Sequence, residues 1–213
     1  MCIRDRSTVV ASSLFRDSGG AAIVVHPNYK QALLQQQQRE AAALGQPLSQ
    51  PQQQLSSSLS SPLGLEIVDT RAELVPNTEG LAVMKEHDGG ANHLYLDKEL
   101  PHAVHNAIPG VIKSLLANSP YPDLTPADCC FALHTGGPKV LREVSSALNI
   151  KEEQISSSWY VMQRHGNLSG SSNLVVLDHV VREKKFQCGK KFCIGISFGP
   201  GVSVQTVLMR FTD

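Results

Sequence analysis

The chain has 213 residues, 41% of them apolar, which is enough for a buried core in one large domain. Its 19 Lys and Arg residues balance 19 Asp and Glu, so no net field draws it onto nucleic acid or an anionic membrane, and its expected partners are small molecules or other subunits. No apolar run approaches the roughly 20 residues of a membrane span, and the opening MCIRDR carries charge where a signal peptide is apolar, which points to a soluble, cytoplasmic protein.

MCIRDR fits no periodic pattern and resembles translated sequencing-adaptor sequence, so residues 1–6 are read as a non-native leader. The strand-like STVVASSLF follows at once, as though a longer sequence had been cut there. SGGAAIVV, from Ser18, then reads as a turn into a short buried strand. Residues 28–64 form a Gln- and Ser-rich tract that cannot bury enough apolar surface to offset its ordering entropy. It is expected to be a surface insertion, with Lys30 to Leu44 able to form one exposed helix. A Gln-rich interaction segment is the alternative.

Ordered sequence resumes with LEIVDTRAELVP, a strand, and TEGLAVMKEHDGGANHLYL, a hairpin or a loop over a pocket. KELPHAVHNAIPGVIKSLLANS sets Leu100, Val104, Ala107, Ile108, Val111, Ile112 and Leu115 on one helical face, with Pro109 inside it. CCFAL is a short apolar strand that runs into HTGG. PKVLREVSSALNI is then helical, with Pro138 in its first turn and Val140, Leu141, Val144 and Leu148 on one side. After SSSWYVMQRHGN, a turn of small residues leads into a further helix, SGSSNLVVLDHVVREKK, with Leu174, Leu177, Val180 and Val181 as its apolar set. FCIGISF and VSVQTVLMRF are two strands joined by the tight turn GPG. Helices and strands mix throughout, so a layered α/β fold is expected.

Two residues stand where chemistry could be done. His134 ends an apolar strand just before a glycine pair, where a side chain can project into a cleft. Asn167 follows Gly166 and precedes LSGSS, which leaves space around its amide. Read singly, each has a plain alternative, a structural histidine and a helix N-cap. Five cysteines, Cys2, Cys129, Cys130, Cys188 and Cys193, lack the spacing of a disulfide framework. Cys188 and Cys193 flank GKKF without the second pair that a zinc site needs, so no metal is expected. Cys129 and Cys130, in an apolar strand, are expected to be buried and inert.

Three glycine-rich turns in order, HTGGP around His134, GNLSG around Asn167 and SFGPG from Ser197 to Gly201, resemble the C-terminal half of the type III polyketide synthases, the chalcone and stilbene synthase family. The interval between His134 and Asn167 fits that pattern, and SSLFRDSGGAAIVV is similar to a segment near the end of the family's N-terminal half. The resemblance implies a thiolase-like layered αβαβα fold. Residues 7–27 would end the N-terminal half, and residues 65–213 would form the C-terminal domain.

It also implies an acyltransferase that condenses a starter acyl-CoA with malonyl-CoA by decarboxylative Claisen condensation. Coenzyme A thioesters are then the substrates, no cofactor is required, and the full-length protein is a homodimer. His134 and Asn167 would be the catalytic pair, donating to the oxygen that turns negative as carbon dioxide leaves. His134 would also hold a neighbouring cysteine as thiolate. Phe15, in FRDSGG, corresponds to an aromatic residue at the mouth of the site, although Arg16 and one extra residue depart from the pattern. A second gating aromatic falls near His93 and Leu94, neither of which is a phenylalanine, so an altered pocket is expected. Ser169 and the backbone of Gly199, Pro200 and Gly201 would line the substrate cavity, with Gly136 and Gly137 permitting close approach. The family's nucleophilic cysteine has no counterpart here, so the chain is expected to be a fragment unable to form an acyl-enzyme. The alternatives are a ketoacyl synthase III of fatty-acid synthesis, disfavoured by HTGG and FGPG, and a noncatalytic thiolase-fold interaction module.

Overall fold

The computed structural model describes residues 35, 39, 64–87 and 91–212. Gln35 and Arg39 are helical and exposed, and Gly64 opens a strand. The expected leader, residues 7–27 and the remainder of the Gln-rich tract lie outside the described residues. Leu65–Phe211 belong to one compact unit.

Within it the elements run β1 (Gly64–Leu74), β2 (Ala82–His87), β3 (Ala91–Leu96), α1 (Leu100–Ala117), β4 (Cys129–Leu133), α2 (Pro138–Leu148), α3 (Ser156–His165), α4 (Ser172–Arg182), β5 (Phe192–Gly199) and β6 (Ser203–Thr212). β1, β6, β5 and β4 form one sheet in that order. β4 pairs parallel with β5, Cys130 opposite Cys193, and β5 pairs antiparallel with β6 through the Gly199–Ser203 turn. β2 and β3 form a separate antiparallel hairpin, which resolves the hairpin-or-loop alternative.

Strand alternation decides how the sheet is covered. Cys129, Phe131 and Leu133 point to one face and pack with Val104, Ile108, Ile112 of α1 and Val140, Leu141, Val144 of α2. Cys130, Ala132 and Cys193 point to the other and meet Val161 of α3 and Val176 and Val180 of α4. The sheet is thus buried on both faces between helical layers, as a strand that is apolar at every position requires.

Among the described residues β4 is the edge of this sheet, and its outward peptide groups find side chains instead of a strand. Gln154 Nε2 donates to Pro126 O (3.0 Å) and Cys129 O (2.6 Å), Ser157 Oγ donates to Phe131 O (3.3 Å), and the Leu133 N–H donates to Ser158 Oγ (2.8 Å). This explains α3, which has no counterpart in the sequence reading. Its buried residues are Ser157, Ser158 and Val161, so two of the three positions facing the sheet are polar and no apolar period announces the helix.

The buried side of α4 also differs from expectation. Ser172, Val176 and Val180 are its buried residues, whereas Leu174, Leu177 and Val181 are half-buried. The stripe is set by a serine that hydrogen-bonds inside the protein, which apolar spacing alone cannot reveal. In α1 the expected face is buried at Val104, Ile108, Val111, Ile112 and Leu115, with Leu116 added; Pro109 lies inside the helix on its exposed side. α2 matches expectation, entering through Pro138 and ending at Asn149 in the left-handed region (φ 49°).

Two substitutions test this arrangement by urea unfolding of the 213-residue chain. Ser158→Ala leaves the Leu133 N–H buried without a partner and is expected to lose about 1–3 kcal/mol. Phe131→Ala, at a fully buried position in the middle of β4, is expected to lose about 3–5 kcal/mol.

Candidate functional site

His134 leaves the C-terminal end of β4, where parallel strands part and a crevice opens. Its N–H donates to Ile196 O (2.8 Å), and its carbonyl accepts the Gly136 N–H (2.8 Å), which turns the chain back at once. The glycine pair makes that turn possible. A Cβ on Gly136 would lie 3.2 Å from His134 Cδ2, and Gly137 has φ 149°, which side chains rarely adopt.

Between the two glycine turns lies a chain of hydroxyls. The Leu168 N–H donates to Ser172 Oγ (3.1 Å), and Ser172 Oγ and Thr135 Oγ1 are 3.0 Å apart. Thr135 Oγ1 is 2.9 Å from Gly166 O. Each hydroxyl has one proton, so the consistent assignment is Ser172 donating to Thr135 and Thr135 donating to Gly166. Thr135 adjoins His134, and Gly166 and Leu168 flank Asn167. One buried threonine and one buried serine therefore tie the two candidate residues into the same frame.

Asn167 is 2% exposed. Its Oδ1 accepts the Ser169 N–H at 2.8 Å, which fixes the amide orientation and leaves Nδ2 as a donor with no partner among the described residues. Gly166 (φ 71°) and Ser169 (φ 53°) take the positive φ values that this tight turn needs. Asn173 supports the same region from α4. Its Nδ2 donates to Ala132 O (3.1 Å) and Ile196 O (2.9 Å), clamping the ends of β4 and β5 where they diverge.

A cavity of about 470 Å³ opens onto these groups, and His134, Asn167, Ser169, Asn173, Gly199 and Pro200 line it together with Leu94. Six of the residues singled out in the sequence thus share one cavity. Gly201 does not line it. That residue is a turn residue (φ 60°) whose N–H donates to Ala82 O (3.2 Å) and whose carbonyl lies 2.8 Å from Thr78 Oγ1. Gly199 is constrained differently, since a Cβ there would come within 2.5 Å of Ser203 Oγ. Phe15 lies outside the described residues. Thr135 and Asn173 escaped the sequence reading; the available signals were a threonine between His134 and a glycine pair, and a lone Asn in an apolar helix.

Burial holds the His134 imidazole near pKa 4, well below its ordinary 6.5. It is therefore neutral at pH 7, with one ring N–H to donate. Burial also pushes the Cys129 thiol up to about 12, while a hydrogen bond with Cys193 followed by burial pushes Cys130 up as well. Both are protonated and buried, as the apolar strand implied. Among the described residues no cysteine lines the cavity, and no group of three or more metal-ligating side chains is present.

The His134 shift has a consequence for stability. The unfolded chain takes up a proton at this residue as pH falls below 6.5, whereas the folded chain resists until about 4. The neutral histidine's contribution is therefore complete above pH 6.5 and lost progressively on acidification toward pH 4. Melting temperatures of the native chain and His134→Gln across this window are expected to converge or cross as pH falls, the native chain losing more. Parallel curves would place the histidine in water.

Residues 66–212 match the model of the chalcone and stilbene synthases, C-terminal domain. Among curated proteins, the chain is 27% identical over 148 residues to type III polyketide synthase C of Arabidopsis thaliana, covering 68% of this chain and 38% of that one. It is 32% identical over 146 residues to the 1,3,6,8-tetrahydroxynaphthalene synthase of Streptomyces peucetius subsp. caesius, covering 68% and 37%. Over 138 residues it is 30% identical to probable polyketide synthase 1 of Dictyostelium discoideum, of which it spans 4%. Similar solved structures include the type III polyketide synthase domain of a Dictyostelium type I/III hybrid, with TM-score 0.63, 25% identity and coverage of 70% of this chain and 41% of that one. A second is PKS-I of the brown alga Ectocarpus siliculosus, with TM-score 0.62, 28% identity and coverage of 70% and 40%. The chain thus spans about two fifths or less of these relatives. Its α/β layers are those of the thiolase-like type III polyketide synthases, and the matched segment carries all three glycine turns: the chain belongs to the chalcone and stilbene synthase family through its C-terminal domain.

Proposed function

We propose that this chain contributes the electrophilic half of a decarboxylative condensation site, acting on malonyl-CoA and a starter acyl-CoA in polyketide formation. The observation that carries this reading is the pair of donors, His134 and Asn167 Nδ2, on one cavity that no described cysteine enters. When malonyl-CoA loses carbon dioxide, the electron pair of the broken C–C bond moves onto the thioester carbonyl and its oxygen becomes negative. Two preorganised N–H donors in a cavity lined mostly by apolar side chains stabilise that enolate as it forms. The enolate carbon then attacks an acyl thioester on a cysteine, and the thiolate leaves.

The neutrality of His134 suits the first step, because an uncharged imidazole donates without needing to lose a proton to the nascent carbanion. A thiolate brought into the cavity would raise the histidine pKa again, since an opposite charge favours the protonated form. The same residue could then stabilise the nucleophile. We assign that cysteine to sequence outside the described residues, because Cys129, Cys130 and Cys193 are sealed in the sheet.

The test is product formation from malonyl-CoA and an acyl-CoA, followed by mass spectrometry. The 213-residue chain is expected to form neither acyl-enzyme nor condensed product. Joined to the upstream sequence at its own locus, it is expected to form both, and His134→Ala or Asn167→Ala is then expected to lower kcat by roughly 10²-fold or more. Acylation of Cys129 or Cys130 in the 213-residue chain, or full activity in either variant, would overturn the reading.

A further inference from the structure

Resting on that reading, we infer that the starter subsite takes an aliphatic acyl chain, held by one face of the β2–β3 hairpin. In this hairpin Ala82 pairs with Leu96 and Met84 with Leu94. Pairs two residues apart share a face of an antiparallel ribbon, and all four of these side chains line the cavity. The alternate pair, Val83 with Tyr95, belongs to the opposite face, where Lys85 lies 5.1 Å above the Tyr95 ring. Leu100 and Val104, one turn apart on α1, extend the cavity wall.

Six aliphatic side chains thus form one continuous wall without a single side-chain hydrogen-bonding group. A polar substituent pressed against it would lose its water and gain nothing in return, so the occupant of this side is hydrocarbon. Met84 is 56% exposed, so the apolar face extends to where it meets solvent and can follow a chain outward. The wall is made of Ala, Val, Leu and Met, and flexible Leu and Met side chains conform to a flexible chain. An aromatic starter gains most from a ring partner at its edge or face. The six-residue wall supplies none, since Phe198, which also lines the cavity, belongs to β5 and not to this wall, and Leu94 stands where the family resemblance expects a gating aromatic. The donors of His134 and Asn167 sit on the same cavity, so the thioester end has a polar station and the tail an apolar one.

Isothermal titration of the 213-residue chain with the butanoyl, octanoyl and dodecanoyl thioesters of coenzyme A, and with benzoyl-CoA, tests this. Complete burial of one methylene strengthens binding by roughly fourfold. With partial burial, Kd is expected to fall at least about tenfold from butanoyl to octanoyl, and benzoyl-CoA is expected to bind no more tightly than the butanoyl thioester. Leu94→Asn is expected to flatten the series. Met84→Asn, at an exposed position that folding does not depend on, is expected to reduce the gain from octanoyl to dodecanoyl. A flat series in the native chain, benzoyl-CoA binding as tightly as octanoyl-CoA, or a slope untouched by both variants would overturn the aliphatic subsite while leaving the condensing site intact. Graded binding of the free fatty acids without binding of any thioester would keep the aliphatic wall and overturn the condensing-enzyme reading. Failure of every ligand to bind would overturn both.

Discussion

The site depends on two hydroxyls. Thr135 and Ser172 are buried side by side, and their protons run in one direction from the Leu168 amide to the Gly166 carbonyl. Remove either oxygen, and a backbone group of the Asn167 turn is left without its partner in a dry interior, a loss comparable to an entire net hydrogen bond or more. Because the chain of bonds begins and ends on the two sides of Asn167 and passes through Thr135 beside His134, it ties two distant glycine turns into one frame. Positioning of this kind is what a donor pair requires, since donors that must reorganise during a reaction stabilise little.

The sheet supplies the second constraint. Ile196 O receives both the His134 N–H and Asn173 Nδ2, so the last carbonyl that β5 shares with β4 also sets where the histidine leaves the sheet. The ends of β4 and β5, where the crevice begins, are therefore clamped by a side chain from α4. The same helix presents Ser172 to Thr135 one position earlier in the chain. Two consecutive residues, Ser172 and Asn173, thus secure both halves of the donor pair.

Much of this was legible in the sequence wherever backbone demands dictate residue type. Gly136, Gly137, Gly166 and Gly201 stand at turns that a larger side chain would strain, so their motifs survive as visible punctuation, and His134 and Asn167 are found by standing next to them. The apolar faces of α1 and α2 follow the helical period because those helices pack against aliphatic side chains. Where the packing partner is a polar backbone, the signal vanishes. Ser157, Ser158 and Ser172 point inward as firmly as any leucine, yet serines in a sequence read as surface or turn. α3 was missed and the inner stripe of α4 misjudged for this one reason. The β2–β3 stretch was legible only as a hairpin or a loop over a pocket, and its cavity-facing side was not legible, because a shift of one residue in the pairing of Met84 with Leu94 would turn the opposite face inward. Phe15 and most of the Gln-rich tract lie outside the described residues.

The capped edge of β4 also bears on how the protein behaves in company. An edge strand with free amides and carbonyls is a template on which any extended chain can add itself. Here each outward group of β4 that Gln154, Ser157 and Ser158 reach is already engaged by a side chain too short and too branched in its bonding to propagate a ladder. Among the described residues the sheet ends at β4, in the way a crystal face ends when capped by a molecule that cannot repeat. A newly made chain that has docked α3 is thereby withdrawn from strand-to-strand polymerisation on that side. A chain in which α3 has not yet docked still exposes five consecutive apolar residues, CCFAL, on an open edge. Ser157 and Ser158 thus close a strand edge that leucines, which would bury more surface, would leave open to pairing.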